Sequence, residues 1–277
     1  MFSQIHSSCR ATLRELKAEY EIGRKTLVKY LNEYEAPKKT HTPRKINLVA
    51  DALYFGGRLD KTSWCPIAFR DPKEKENLWW NFYETETTSG YSDGRRHLEN
   101  LGYEILSITG DGFSGLRAAF FGIPFQMCHV HMERIVVKGT TRKPILEAGQ
   151  ALLALIKTLH YSDENTFKNY FKMYLSKYQS FLNEKTINPE TGRSEYTHKP
   201  LHDAVLSLMH FLPYLFTFKK DKNIPRTTNT LEGHFSHIRD IVAIHRGLKK
   251  PHMEKVLNSI FLASTIAPTK KKLEDIL

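Results

Sequence analysis

The chain has 277 residues, 40% of them hydrophobic and 12% aromatic, enough for one large domain with a sizeable core and a small one beside it. Its 41 Lys and Arg outnumber 30 Asp and Glu, a formal net charge of +11 that favours polyanionic partners, because each cation that meets a phosphate releases a condensed counterion. Three cysteines (Cys9, Cys65, Cys128) exclude a disulfide framework and suit a reducing cytoplasm, the polar N-terminal stretch holds no signal peptide, and no apolar run reaches the ~18 residues of a membrane span, so no membrane partner is expected.

Residues 1–35 read as a helix-turn-helix-like DNA-binding segment. Ala11 to Tyr20 carries Leu13, Leu16 and Tyr20 on one face, and Arg24 to Leu31 carries Leu27 and Leu31 on one face. Between them Glu21 stands where a turn glycine is commonest, with Gly23 offset by two. Arg24, Lys25 and Lys29 on the second helix are candidate DNA contacts, and a plain helical hairpin is the alternative. Residues 36–44, with two prolines and the basic Lys38, Lys39, His41 and Arg44, read as a basic linker able to lie along a DNA backbone.

From residue 45 the pattern becomes α/β. Strands are predicted at Ile46–Ala50, Cys65–Arg70 and Leu78–Glu84, then a helix near Asp93–Leu101, a strand at Glu104–Thr109, a short helix over Gly112–Phe121 and a last strand at Phe125–Cys128. This order predicts a mixed sheet. Residues 142–218 switch to helical spacing, through Ile145, Leu146, Ala148, Leu152, Leu153, Leu155, Ile156 and Leu159, then Phe167, Tyr170, Phe171, Tyr174, Leu175 and Tyr178, then Leu201 to Leu212. Asn188–Arg193 reads as a turn, and the block is expected to be an all-helical insertion. A helix opens at Thr228–Leu231 and another runs over Met253–Ala263.

Three acids punctuate these elements: Asp51 after the first strand, Asp111 after the fourth, and Glu232 at the start of a late helix. A carboxylate abutting an apolar strand is costly to desolvate unless it sits at an edge or holds something positive. Adjacent strand ends with a helix swung over them are the wiring of a ribonuclease H-like fold, and such carboxylates suit hard cations, Mg2+ or Mn2+, that clamp both oxygens of a phosphoryl transfer. Gly110 and Gly112 flank Asp111 and permit a tight strand-to-helix turn, while Thr228 or Asn229 can cap the Glu232 helix and Gly233 leaves room beside the acid. Cys128, His129 and His131 have the flavour of metal ligands, which His234 and His237 could complete as a zinc site. A buried, hydrogen-bonded Cys and His is the simpler reading. Arg239, His245, Arg246, Lys249 and Lys250, with Arg134, Lys138, Arg142 and Lys143, are candidates to line a DNA groove.

From about Lys45 onward the chain resembles the Mutator-like superfamily of DDE transposases, which includes many bacterial insertion-sequence enzymes. The resemblance lies in Asp51-Ala52-Leu53-Tyr54-Phe55-Gly56, Gly110-Asp111-Gly112-Phe113-Ser114-Gly115-Leu116, Pro124-Phe125-Gln126-Met127-Cys128-His129-Val130-His131 and Thr227-Thr228-Asn229-Thr230-Leu231-Glu232-Gly233. Tyr196–Lys199, Leu212–Phe216 and the Ile224-Pro225 stretch add to it. It implies Asp51, Asp111 and Glu232 as the metal-binding catalytic triad and a ribonuclease H-like catalytic domain over 45–277, with the helical insertion at 142–218. It implies Cys128 and His131 as active-site support through packing, hydrogen bonding or DNA contact. It also implies Mg2+- or Mn2+-dependent cutting of transposon ends, transfer of the 3′-hydroxyl to target DNA, and a homo-oligomer on double-stranded DNA in the cytoplasm or nucleoid. Arg24, Lys25, Lys29, Arg239 and Arg246 are the expected DNA-binding residues. Two alternatives remain open: a non-catalytic protein that occupies transposon ends, and a ribonuclease H-like nuclease unrelated to transposition.

Overall fold

In the computed structural model, which describes residues 17–18, 20–35, 37–57, 63–244 and 248–266, the chain is α/β with a mixed five-stranded sheet. The strands are β1 (Lys45–Ala52), β2 (Cys65–Asp71), β3 (Glu76–Tyr83), β4 (Glu104–Gly110) and β5 (Phe125–Met127), in the order β3-β2-β1-β4-β5. β1, β2 and β3 pair antiparallel, and β4 pairs parallel with β5. The chain divides into two compact units: Met1–Leu106 with Ala118–Phe121 and Asn229–Leu277, and Ser107–Arg117 with Gly122–Thr228. No helix among the described residues is long and apolar enough to cross a membrane.

In the first unit, β2 is buried along its whole length, as its continuous run from Cys65 to Phe69 requires. One face of β1–β3 carries α2 (Thr88–Asn100), which starts earlier than the sequence suggested because Thr87 caps it, its hydroxyl accepting from the Gly90 N–H. Gly90 and Gly94 disguise that start as a loop, yet they are there for close packing: a Cβ on Gly94 would lie 2.5 Å from the Trp79 ring and 2.6 Å from Phe69. The opposite face carries α8 (Asn229–Ile244) and α9 (Lys250–Ile266). Leu231, Phe235, Ile238 and Ile241 form the buried stripe of α8 and pack with Val49, Leu53 and Ala68 of the sheet side and with Leu257, Ile260 and Phe261 of α9. Each such side chain, fully buried, contributes roughly 1.5–3 kcal/mol.

The N-terminal segment is also tied to this unit. Lys17, Ala18 and Tyr20 are helical, and the rest of the first predicted helix lies outside the described residues. Glu21 takes the left-handed φ of 52°, so the turn is made at the position where a glycine is commonest. α1 (Arg24–Glu33) follows, and the Lys255 ammonium of α9 donates to the carbonyls of Asn32 (2.5 Å) and Tyr34 (2.8 Å), satisfying acceptors at and just beyond the end of α1. In the linker, Lys39 donates to Glu76 and Arg44 bridges Asp71 and Glu76 (2.8 and 2.7 Å), so two of its four basic residues are already neutralised by the β2–β3 hairpin.

The second unit is mostly helical: α4 (His129–Thr140), α5 (Glu147–Thr158), α6 (Glu164–Leu182) and α7 (Lys199–Phe211). The insertion is not all-helical, however. β6 (Lys185–Ile187) and β7 (Ser194–Tyr196) form an antiparallel hairpin over the expected turn, where the Asn188 carboxamide accepts from the Glu190 and Thr191 N–H groups and Gly192 adopts φ 64°. The aromatic face of α6 packs inward at Phe167, Phe171, Tyr174 and Tyr178, but Tyr170 is 48% exposed. Ile145 and Leu146, expected on the buried face of the first insertion helix, lie before α5 begins and are exposed. α3 (Ser114–Ala119) is shorter than the Gly112–Phe121 expectation.

Candidate functional site

Asp51 lies in β1 opposite Ala68 of β2. Strand side chains alternate, so Asp51 shares its face with Val49 and Leu53, both packed in the cluster with Leu231 and Phe235 of α8. Asp51 therefore points to the side of the sheet covered by the helix that bears Glu232 in its first turn. Its Oδ1 accepts the Ala52 N–H at 2.8 Å, which fixes the carboxylate at the strand end. Glu232 sits one residue past the buried Leu231 and is half-buried; a Cβ on Gly233 would meet only open space.

Asp111 follows β4 directly, within the second unit. Its Oδ1 accepts the Phe113 N–H at 2.9 Å, closing the turn into α3. Gly112 is required there for space, since a Cβ would lie 2.7 Å from Cζ of Phe211 at the end of α7. That ring is in turn covered by Arg117, whose guanidinium also lies 4.7 Å from the Tyr214 ring centroid and 2.8 Å from Nε2 of His210.

Cys128 and His131 stand one helical turn apart at the start of α4, an element the sequence reading did not anticipate. Both meet Thr228, the residue before α8. The Thr228 N–H donates to Cys128 Sγ at 3.3 Å, and the Thr228 hydroxyl lies 3.4 Å from both Cys128 Sγ and His131 Nδ1. Burial alone would push the Cys128 thiol up, but the hydrogen bonds of His131 and Thr228 outweigh it and hold the thiol below its ordinary value. The segment leading to Thr228 is laced down strand by strand. Gln126 donates to the Leu215 carbonyl (3.0 Å) and accepts from the Phe218 N–H (2.9 Å), Thr109 donates to the Pro225 carbonyl (2.8 Å), and the His129 N–H donates to the Arg226 carbonyl (3.0 Å). His129 itself is fully buried and donates Nε2–H to the Leu215 carbonyl at 2.7 Å.

No protein-family model and no curated protein matches the chain.

Of the basic residues singled out from sequence, Arg24, Lys25 and Lys29 all fall on α1; Lys25 and Lys29 are exposed, with Lys29 3.8 Å from Glu33. Arg239 is exposed on α8, and Arg246 lies outside the described residues. Sequence reasoning missed a buried polar chain that runs from β2 through β3 to the Glu232 helix. Arg70, 6% exposed, donates to Oδ1 of Asn77 (2.6 Å), while the Asn77 amide reaches the Phe261 carbonyl and His234 Nε2, both at 3.0 Å. Burial lowers the His234 pKa to about 3, so the ring is neutral. The signal available in the sequence was an Arg and an Asn next to apolar runs, Cys65–Phe69 and Leu78–Trp80, positions that must find partners when buried.

Proposed function

We propose that this chain is a DDE transposase of ribonuclease H-like fold, akin to the Mutator-like superfamily, which cuts transposon ends and joins the freed 3′-hydroxyl to target DNA. The observation that carries this reading is that Asp51 faces the side of the sheet covered by the helix bearing Glu232. The resemblance adds Asp111, which directly follows β4 within the second unit. The donor set fits Mg2+ or Mn2+: all three are carboxylates, hard oxygen ligands, and Asp51 and Asp111 each have one oxygen held by a backbone N–H. A divalent ion bound there would supply charge neutralisation at the scissile phosphate.

The protein's own part is positioning. Asp51 and Asp111 present preset carboxylates from strand ends, and Glu232 is delivered by a helix clamped to the sheet through Leu231 and Phe235. Cys128 and His131 hold Thr228, the last residue before that helix in the chain. Water attacks the phosphorus at the transposon end and the bond to the 3′-oxygen breaks, leaving a 3′-hydroxyl. That hydroxyl attacks a target phosphorus, one P–O bond forms as another breaks, and no covalent protein intermediate arises. Pairing two ends calls for at least two protomers on double-stranded DNA.

Asp111→Asn tests the reading. It preserves size but removes a charged ligand, so Mg2+-dependent cleavage of end-containing DNA should fall by orders of magnitude while DNA affinity is kept. A variant that cuts as well as the parent overturns the triad. A parent that cuts but never joins strands is a nuclease, and one that binds ends without cutting is a non-catalytic occupant.

A further inference from the structure

The first unit holds a cavity of about 390 Å³ that the triad does not use. Its aromatic side is Phe55 and Trp64, paired by reciprocal backbone hydrogen bonds (2.9 and 3.1 Å) with ring centroids 4.9 Å apart. Val242, Leu248 and Met253 supply apolar walls. Arg239 and Lys250 bring positive charge to the lining; the Lys250 ammonium lies 5.6 Å from the Trp64 ring centroid. Lys250 is also the first residue of α9, a helix of 17 residues whose amino end favours an anion.

The cavity's place on α8 gives it meaning. Arg239 follows Glu232 by seven residues, two helical turns, so the two share a face about 10 Å apart along the axis. Phe55 follows Asp51 by four residues. The lining thus begins where both acid-bearing elements of this unit continue past their acids. Flat apolar surface suits a planar aromatic group, and two cations beside it suit an attached phosphate. The volume falls within the range of small-ligand pockets, and the net charge of +11 already favours polyanions.

The geometry points to a nucleotide pocket: the Phe55–Trp64 cavity receives one unpaired base of a DNA strand, with Arg239 and Lys250 on its phosphate. The site rests on the DNA reading above but not on its chemistry. An element end with its bases displaced near the cut would be held there, about two helical turns from Glu232.

The test is metal-free binding, measured by fluorescence anisotropy in EDTA, of a blunt duplex and of the same duplex with a short single-stranded extension. Stacking one base should make the extended DNA bind about 10-fold tighter. An extension of abasic sugar-phosphate should lose that gain. Phe55→Leu, which keeps an apolar contact to Trp64 but offers no ring, should bind both duplexes as the parent binds the blunt one. Lys250→Ala should lower the salt slope for the extended DNA by about one more than it lowers that for the blunt duplex. Equal affinity for blunt and extended DNA, an abasic extension that keeps the gain, or a Phe55→Leu protein that still prefers the extension would each overturn the pocket. Because no metal is present, a protein that shows the preference but never cuts refutes the transposase chemistry and leaves the pocket standing.

Discussion

His129 makes the second unit acid-sensitive. The ring is fully buried, its Nε2–H is spent on the Leu215 carbonyl, its Nδ1 has no hydrogen-bond partner, and Phe218 lies 5.7 Å away. Burial pushes its pKa down from 6.5 to about 4, with His160 and Arg226 adding to the effect. The unfolded chain therefore takes up the proton first. Stability from this ring is complete above 6.5, declines as the pH falls towards 4, and is constant again below that. Between about pH 7.5 and about pH 5 the loss is roughly 2 kcal/mol, from 1.36 kcal/mol per pH unit over the window in which only the unfolded chain is protonated. His129→Gln places an amide where Nε2–H stood and does not titrate, so its stability should be flatter over this range by about that amount. All three tryptophans, Trp64, Trp79 and Trp80, belong to the first unit, so their fluorescence does not report on the second. Urea unfolding followed by circular dichroism, with hydrogen exchange of α4 and α6, is the suitable assay. If His129→Gln loses stability on acidification as steeply as the parent, the buried neutral histidine is not the cause.

Three further outcomes follow from packing and hydrogen bonding. Gly112→Ala, with its Cβ driven to 2.7 Å from Phe211, should displace the Asp111 turn and cut strand cleavage at least tenfold, in a protein whose circular dichroism is unchanged; normal cleavage would show that the ring simply yields. Thr228→Val deletes the hydroxyl between Cys128 and His131 and should cost about 1 kcal/mol in urea unfolding, with a fall in cleavage rate that added Mg2+ does not restore. Gly94→Ala should be destabilising by about 1–3 kcal/mol despite the better helix propensity of alanine, because Trp79 and Phe69 close on it from both sides; a rise in melting temperature would contradict the packing.

β1 and β4 were legible as short, mainly apolar runs with an acid at or just past the end, and the Glu232 helix because Leu231, Phe235, Ile238 and Ile241 keep helical spacing. α4 was not legible. Its buried residues are His129, Met132, Val136 and Thr140, a stripe in which two of four members are polar, and its run of β-branched residues, Ile135-Val136-Val137, favours strand on propensity. The β6–β7 hairpin was hidden for the opposite reason: five of its six strand residues are exposed and the sixth only half-buried, so no alternation betrays it. The acids at element ends could be read from the chain. The Thr228 contacts could not, since Cys128 and Thr228 are 100 residues apart and only the folded second unit brings them together.

The Lys255 bond to the Asn32 carbonyl spans 223 residues and joins α1 to α9. On a ribosome adding about 5–20 residues per second, the end of α1 is made roughly 10–45 seconds before the ammonium that satisfies it. During synthesis α1 must keep those carbonyls in water, and it docks only after α9 has been made. A premature stop ahead of α9 would therefore release α1 as well as remove α9.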